Sequence, residues 1–155
     1  ELDFPMHLET SRWYEKSMSI TRGPLLYALR IEEEWRKHYY EPDSIHGEFC
    51  WEVLPKSPWN YALQPFKAEE TDDALIVEID STKVGNLHPW TLETVPISIK
   101  AKAKRVPGWK LYNGAAGPLP YSNHHLPPAP QEIETITLVP YGATTLRIAE
   151  FPVLK

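Results

Sequence analysis

A chain of 155 residues that is 42% hydrophobic and 24% charged suits one globular domain, long enough to bury about 68–70% of its unfolded surface. A formal net charge of −5 argues against nucleic acid as a partner, and Cys50, the single cysteine, excludes an internal disulfide and any multi-cysteine metal site. No apolar run reaches the ~18–20 residues of a membrane-spanning helix, and sixteen prolines leave little room for long helices of any kind.

Leu2, Phe4, Met6 and Leu8 alternate at once with Asp3, Pro5, His7 and Glu9. This spacing predicts a strand over 2–8 that is already under way at the first residue, so the chain reads as a piece of a longer protein. Thr10-Ser11 and Arg12-Trp13-Tyr14 predict a turn into the stretch 17–31. There Leu25, Tyr27, Leu29 and Ile31 share one side and Leu26 and Ala28 the other, as in a central strand covered on both faces. Gly23-Pro24 just before it predicts a corner or a bulge.

Residues 32–37, EEEWRK, place acids before bases, as the dipole of a short helix prefers, and predict one or two helical turns. GEFCWEVL at 47–54 predicts a strand with Phe49, Trp51 and Val53 on one face and Cys50, Glu52 and Leu54 on the other. Cys50 then reads as a small half-buried residue rather than a reactive thiol. After an irregular aromatic stretch, 55–66, Leu75, Val77 and Ile79 predict a half-buried strand.

The cleanest alternation follows at 95–104. Val95, Ile97, Ile99, Ala101 and Ala103 face inward, and the small alanines imply close packing against a bulky neighbour. Lys100, Lys102 and Lys104, with Arg105, read as a solvated strand face rather than a phosphate-binding stripe. Periodicity vanishes over 107–131, which is longer than the ~12–15 residues that compact domains usually leave unstructured. Strands over 133–139 and 144–151, joined by Pro140-Tyr141-Gly142-Ala143 as a hairpin, close the chain. The fold class expected is all-β: one antiparallel, jelly-roll-like β-sandwich over 1–155, with about eight strands and one or two short helices.

Few residues carry chemistry. No G-x-S-x-G elbow is present, adjacent His124 and His125 would point apart on an extended segment, and paired carboxylates would have to come from distant strands. No catalytic residue, metal or cofactor is therefore expected. The aromatics say more: Trp59, Asn60, Tyr61, Trp90, Trp109 and Tyr112, with Tyr121, lie beside Pro, Asn and Gly, where rings can stack on sugar faces and amides can bind hydroxyls. The competing reading makes these rings plugs over the ends of the sandwich. Trp13, Trp35 and Trp51 are expected in the core or at its rim.

Three segments carry a resemblance: ITRGPLLYALRIEEEW at 20–35, WEVLPKSPWNYAL at 51–63 and EIETITLVPYGATTLRIAEFP at 132–152, with LDFPM ahead of them. Together they resemble the C-terminal region of glycoside hydrolase family 127-type bacterial proteins, the β-L-arabinofuranosidases and their relatives. The resemblance implies an (α/α)6 catalytic barrel ahead of a β-sandwich, with the chemistry, a zinc-bound cysteine and glutamates, in that barrel. None of those residues maps onto this chain. The expected role is thus a non-catalytic accessory domain whose partner is the catalytic domain of its own parent chain. The alternatives are an autonomous module binding plant-type oligosaccharide and a small enzyme. A bacterial periplasmic or secreted location is favoured over the cytoplasm, with neither membrane nor nucleic acid as partner.

Overall fold

A computed structural model describes residues 6–122 and 132–154. Eleven strands are formed among them: β1 (Leu8–Arg12), β2 (Met18–Arg22), β3 (Leu25–Leu29), β4 (Glu33–Tyr39), β5 (Phe49–Pro55), β6 (Tyr61–Leu63), β7 (Leu75–Ile79), β8 (Ile97–Arg105), β9 (Leu111–Tyr112), β10 (Ala115–Ala116) and β11 (Glu134–Pro140). The only α-helix among the described residues is a single turn, Thr71–Ala74, and three 3-10 turns complete the elements. The chain is all-β, as its alternation predicts.

Seven strands form one antiparallel sheet in the order β1-β2-β3-β11-β8-β6, with β7 sharing the β6 edge of β8. The central position of β3 follows from its residues. Tyr27, Ala28 and Leu29 are all buried, so no side of this segment is left for water. Gly23, at φ +55°, turns β2 into β3 and divides the apolar stretch into two paired strands. On β8 the alternation places Ile99, Ala101 and Ala103 in the core. Lys100 and Lys102 lie on the outer face, where their Nζ atoms donate to Thr137 and Thr135 of β11 at 2.8 and 2.7 Å. These lysines therefore sit mid-sheet, each bonded to its cross-strand partner.

The sheet curls until its two ends meet in one core, where Met18, Ile20 and Tyr27 join Leu63, Leu75, Ile99 and Leu138. The C-terminal segment completes the circuit. Phe151 exchanges backbone hydrogen bonds with Met18 at 2.8 and 3.0 Å, Leu29 N–H donates to Ile148, and Leu63 bonds to both Pro152 and Leu154. Phe151 and Val153 thereby bridge β2 to β6 and bury their side chains in the core.

Five local expectations are corrected. Thr10-Ser11 lies inside β1 rather than in a turn, and the reversal comes at Tyr14–Lys16, where Glu15 and Lys16 adopt φ +54°. Residues 33–39 form a strand, not a helix. Seven residue pairs, Glu33↔Pro55 through Tyr39↔Phe49, make β4 and β5 a hairpin, and that pairing overrides a weak helical preference. Residues 144–151 do not form a hairpin strand with β11, because both of its edges are already paired, to β3 and β8. The chain takes a 3-10 turn at Tyr141–Ala143 and then bonds to β3 and β2 instead, through Ile148 to Leu29 and Phe151 to Met18. Ile79 is 61% exposed rather than inward. Within 107–131, β9 and β10 form a small hairpin about Asn113-Gly114, both at positive φ, as a type I′ turn requires. His124 and His125, and the alternating residues Leu2 and Phe4, lie outside the described residues.

Candidate functional site

The six aromatic-loop candidates separate into an inner and an outer group. Asn60 is buried and saturated: its Nδ2 donates to the Val106 and Trp109 carbonyls, both at 2.9 Å, and its Oδ1 accepts from Arg105 Nε at 2.9 Å. Tyr61 is buried beneath the Arg105 guanidinium and donates to Glu134 at 2.7 Å; burial and the neighbouring carboxylate push its hydroxyl up to about 12. Trp109 is 4% exposed, donates to the Gly117 carbonyl, and meets half-buried Trp59 edge-on at 5.1 Å. Trp59, Asn60 and Trp109 thus pack together beside Ala62 and Val106, while Tyr61 belongs to the main core. Tyr112 and Trp90 face solvent, Trp90 lying over Gly142.

Among the described residues, exposed aromatics are also grouped on the β4–β5 hairpin. Trp35, Lys37 and Tyr39 share a face with Val53, Trp51 and Phe49, their cross-strand partners in register. Trp35 meets Trp51 at 6.1 Å and 75°, and Phe49 meets Trp51 at 5.9 Å and 86°, so the rings stand edge to face. Lys37 Nζ lies over Phe49 at 4.2 Å and near Trp51 at 5.5 Å. Trp35 and Trp51, expected in the core or at its rim, are about half exposed and so lie outside the core. The signal that marks them is the alternation Trp35-x-Lys37-x-Tyr39 opposite Phe49-x-Trp51-x-Val53, which becomes legible once 33–39 is taken as a strand.

A third arrangement is concave. Trp13, also outside the core, rises over the outer face of β1 and β2 and is tied by its indole N–H to Ser19 Oγ at 2.8 Å. It walls a cleft of about 680 Å³ shared with Tyr141, Arg147 and Glu150. Arg147 also lines a second cleft, of about 300 Å³, with Trp35, Trp90 and Glu93. Its guanidinium stacks on the Tyr141 ring at 4.6 Å, and its Nε donates to the Tyr141 and Thr144 carbonyls at 3.1 and 2.9 Å. The two clefts thus meet at one braced cation. Glu33, which also lines the second cleft, accepts hydrogen bonds from Thr144, Thr145 and Leu146.

Cys50 is half-buried on the hairpin face opposite the aromatic one. Among the described residues no group of three or more His, Cys, Asp or Glu is placed to hold a metal ion, and no helix is long and apolar enough to cross a membrane. Comparison with known protein families, with characterised proteins and with solved structures finds no match. What the arrangement offers chemically is binding surface: an aromatic ridge and an aromatic-walled trough.

Proposed function

We propose that this chain is a non-catalytic β-sandwich-like accessory domain of a glycoside hydrolase-type protein, and that the aromatic face of the β4–β5 hairpin is where the catalytic domain of its parent chain packs. The observation that carries this reading is the hairpin itself. Among the described residues it joins no other sheet, and it presents Trp35, Tyr39 and Trp51 to water at 49%, 60% and 52% exposure. A two-stranded ribbon is marginal in water, and large grouped aromatics on a monomer's surface mark interaction sites. Edge-to-face rings make a rugged ridge that suits interdigitation with protein side chains better than the flat platform on which a sugar ring stacks. The segment resemblance to the C-terminal region of family 127-type proteins supports the identity of the partner.

Hydrogen exchange over residues 33–55, compared between this chain and the longest chain its gene encodes, tests the reading. Amides at 35–39 and 49–53 should gain protection in the longer chain, and the 155-residue chain should turn over no aryl glycoside. Unchanged exchange at the hairpin would remove the docking surface. Glycoside turnover abolished by one Asp or Glu substitution within this chain would make it an enzyme instead.

A further inference from the structure

We propose that the trough running from Trp13 past Arg147 to Trp90 is a binding site for a neutral oligosaccharide, adjoining the hairpin's aromatic ridge at Trp35. Two exposed indoles, 61% and 54% accessible, stand in adjoining clefts that share Arg147 as a wall. Such a trough suits an extended ligand with repeated apolar faces, one unit against each ring. Trp13 spends its N–H on Ser19, so what it offers a ligand is its face, the part of an indole that meets the C–H face of a sugar. Polar groups accompany both rings: Ser11, Thr21 and Glu150 in the first cleft, Thr91 and Glu93 in the second. These are the hydroxyls and carboxylates that pair with sugar hydroxyls.

Charge narrows the class further. Glu150, Glu93 and Glu33 line the trough against the single guanidinium of Arg147, which disfavours uronic acids, phosphates and nucleic acid. Arg147 is itself preorganised: Nε is held by two backbone carbonyls and the guanidinium plane by Tyr141, so its terminal N–H groups are presented without further loss of rotamer freedom. A proline-rich peptide also lies on aromatic-walled grooves. Trp13, however, already donates its indole N–H within the chain, to Ser19, and that is the donor that would fix a peptide carbonyl at this ring.

Titration of the intact chain with cellohexaose, xylohexaose and arabinohexaose, followed by tryptophan fluorescence and calorimetry, tests the site. At least one should bind saturably, Trp13→Ala and Trp90→Ala should each weaken it by about tenfold, and Trp13→Phe should retain most of the affinity. Phe49→Ser, on the hairpin ridge, should leave sugar binding unchanged, which separates this test from that of the docking surface. No saturable response to any of the three sugars overturns the proposal. So does binding that persists in both alanine variants, or tighter binding of decaproline or polygalacturonate at the same residues.

Discussion

Glu33 Oε1 accepts a hydrogen bond from the Thr145 amide at 2.6 Å, linking residues 112 positions apart. The same oxygen accepts from the Leu146 amide at 3.0 Å and from Thr144 Oγ1 at 3.2 Å. One carboxylate thereby pins the base of the aromatic hairpin to the segment that closes the sheet. Burial acts to raise its pKa, but the donors from Leu146, Thr145, Thr144 and Trp35 outweigh it and hold the carboxyl below its ordinary 4.5. A carboxyl lowered on folding contributes stability above its unfolded pKa and loses that contribution as pH falls through the folded one. Thermal melts should therefore show an acid limb below pH 4.5. Glu33→Gln should flatten that limb and cost about 1.5–3 kcal/mol at neutral pH.

The alkaline limb should belong in part to Tyr61. Burial, then Glu134, raises its hydroxyl from 10.0 to about 12, so the neutral form is the one the fold favours. A group raised on folding gives its full contribution below the unfolded value and loses it as pH climbs to the folded one. Stability should thus decline between pH 10 and about pH 12, by up to about 2–3 kcal/mol from this group. Tyr61→Phe should reduce that slope in denaturant titrations across the window.

Tyr27 lies fully buried on β3, and its hydroxyl has no hydrogen-bond partner among the described residues. Tyr27→Ala should cost on the order of 3–5 kcal/mol by emptying the centre of the core. Tyr27→Phe should be neutral or stabilising, since it removes a desolvated polar atom while keeping the ring. A loss of more than about 1 kcal/mol for the phenylalanine variant, measured by urea unfolding, would mean that the hydroxyl is satisfied.

Gly117 closes the β9–β10 hairpin with its amide on the Lys110 carbonyl, while its own carbonyl accepts from Trp109. A Cβ there would lie 2.5 Å from the Lys110 oxygen, a backbone atom that cannot swing aside. Gly117→Ala should cost about 1–3 kcal/mol and loosen Trp109, visible as a red shift of tryptophan emission. Gly108→Ala, which meets nothing within 4 Å, should leave the emission unchanged.

Period-two alternation by itself determined the fold class. Ile99, Ala101 and Ala103 on β8, and the doubly apolar run 25–29, could be stable only as strands with one or both faces covered, whichever strands cover them. The tertiary structure decided what local pattern could not. Residues 33–39 have a helix-like charge order, yet they form a strand because a matching strand lies ten residues on. Residues 144–151 look like the return arm of a hairpin, yet they bond to β3 and β2 because β11 has no edge left. The candidate site followed the same division. That aromatics and prolines would organise the loops was legible, but which rings face water was not: Trp109 is drawn inward by bonds to Gly117 and Asn60, while Trp35 and Trp51 are turned outward by the strand face they occupy and Trp13 stands exposed at the turn that follows β1. Exposure is a property of what packs above a residue, and that is settled by contacts between segments far apart in the chain.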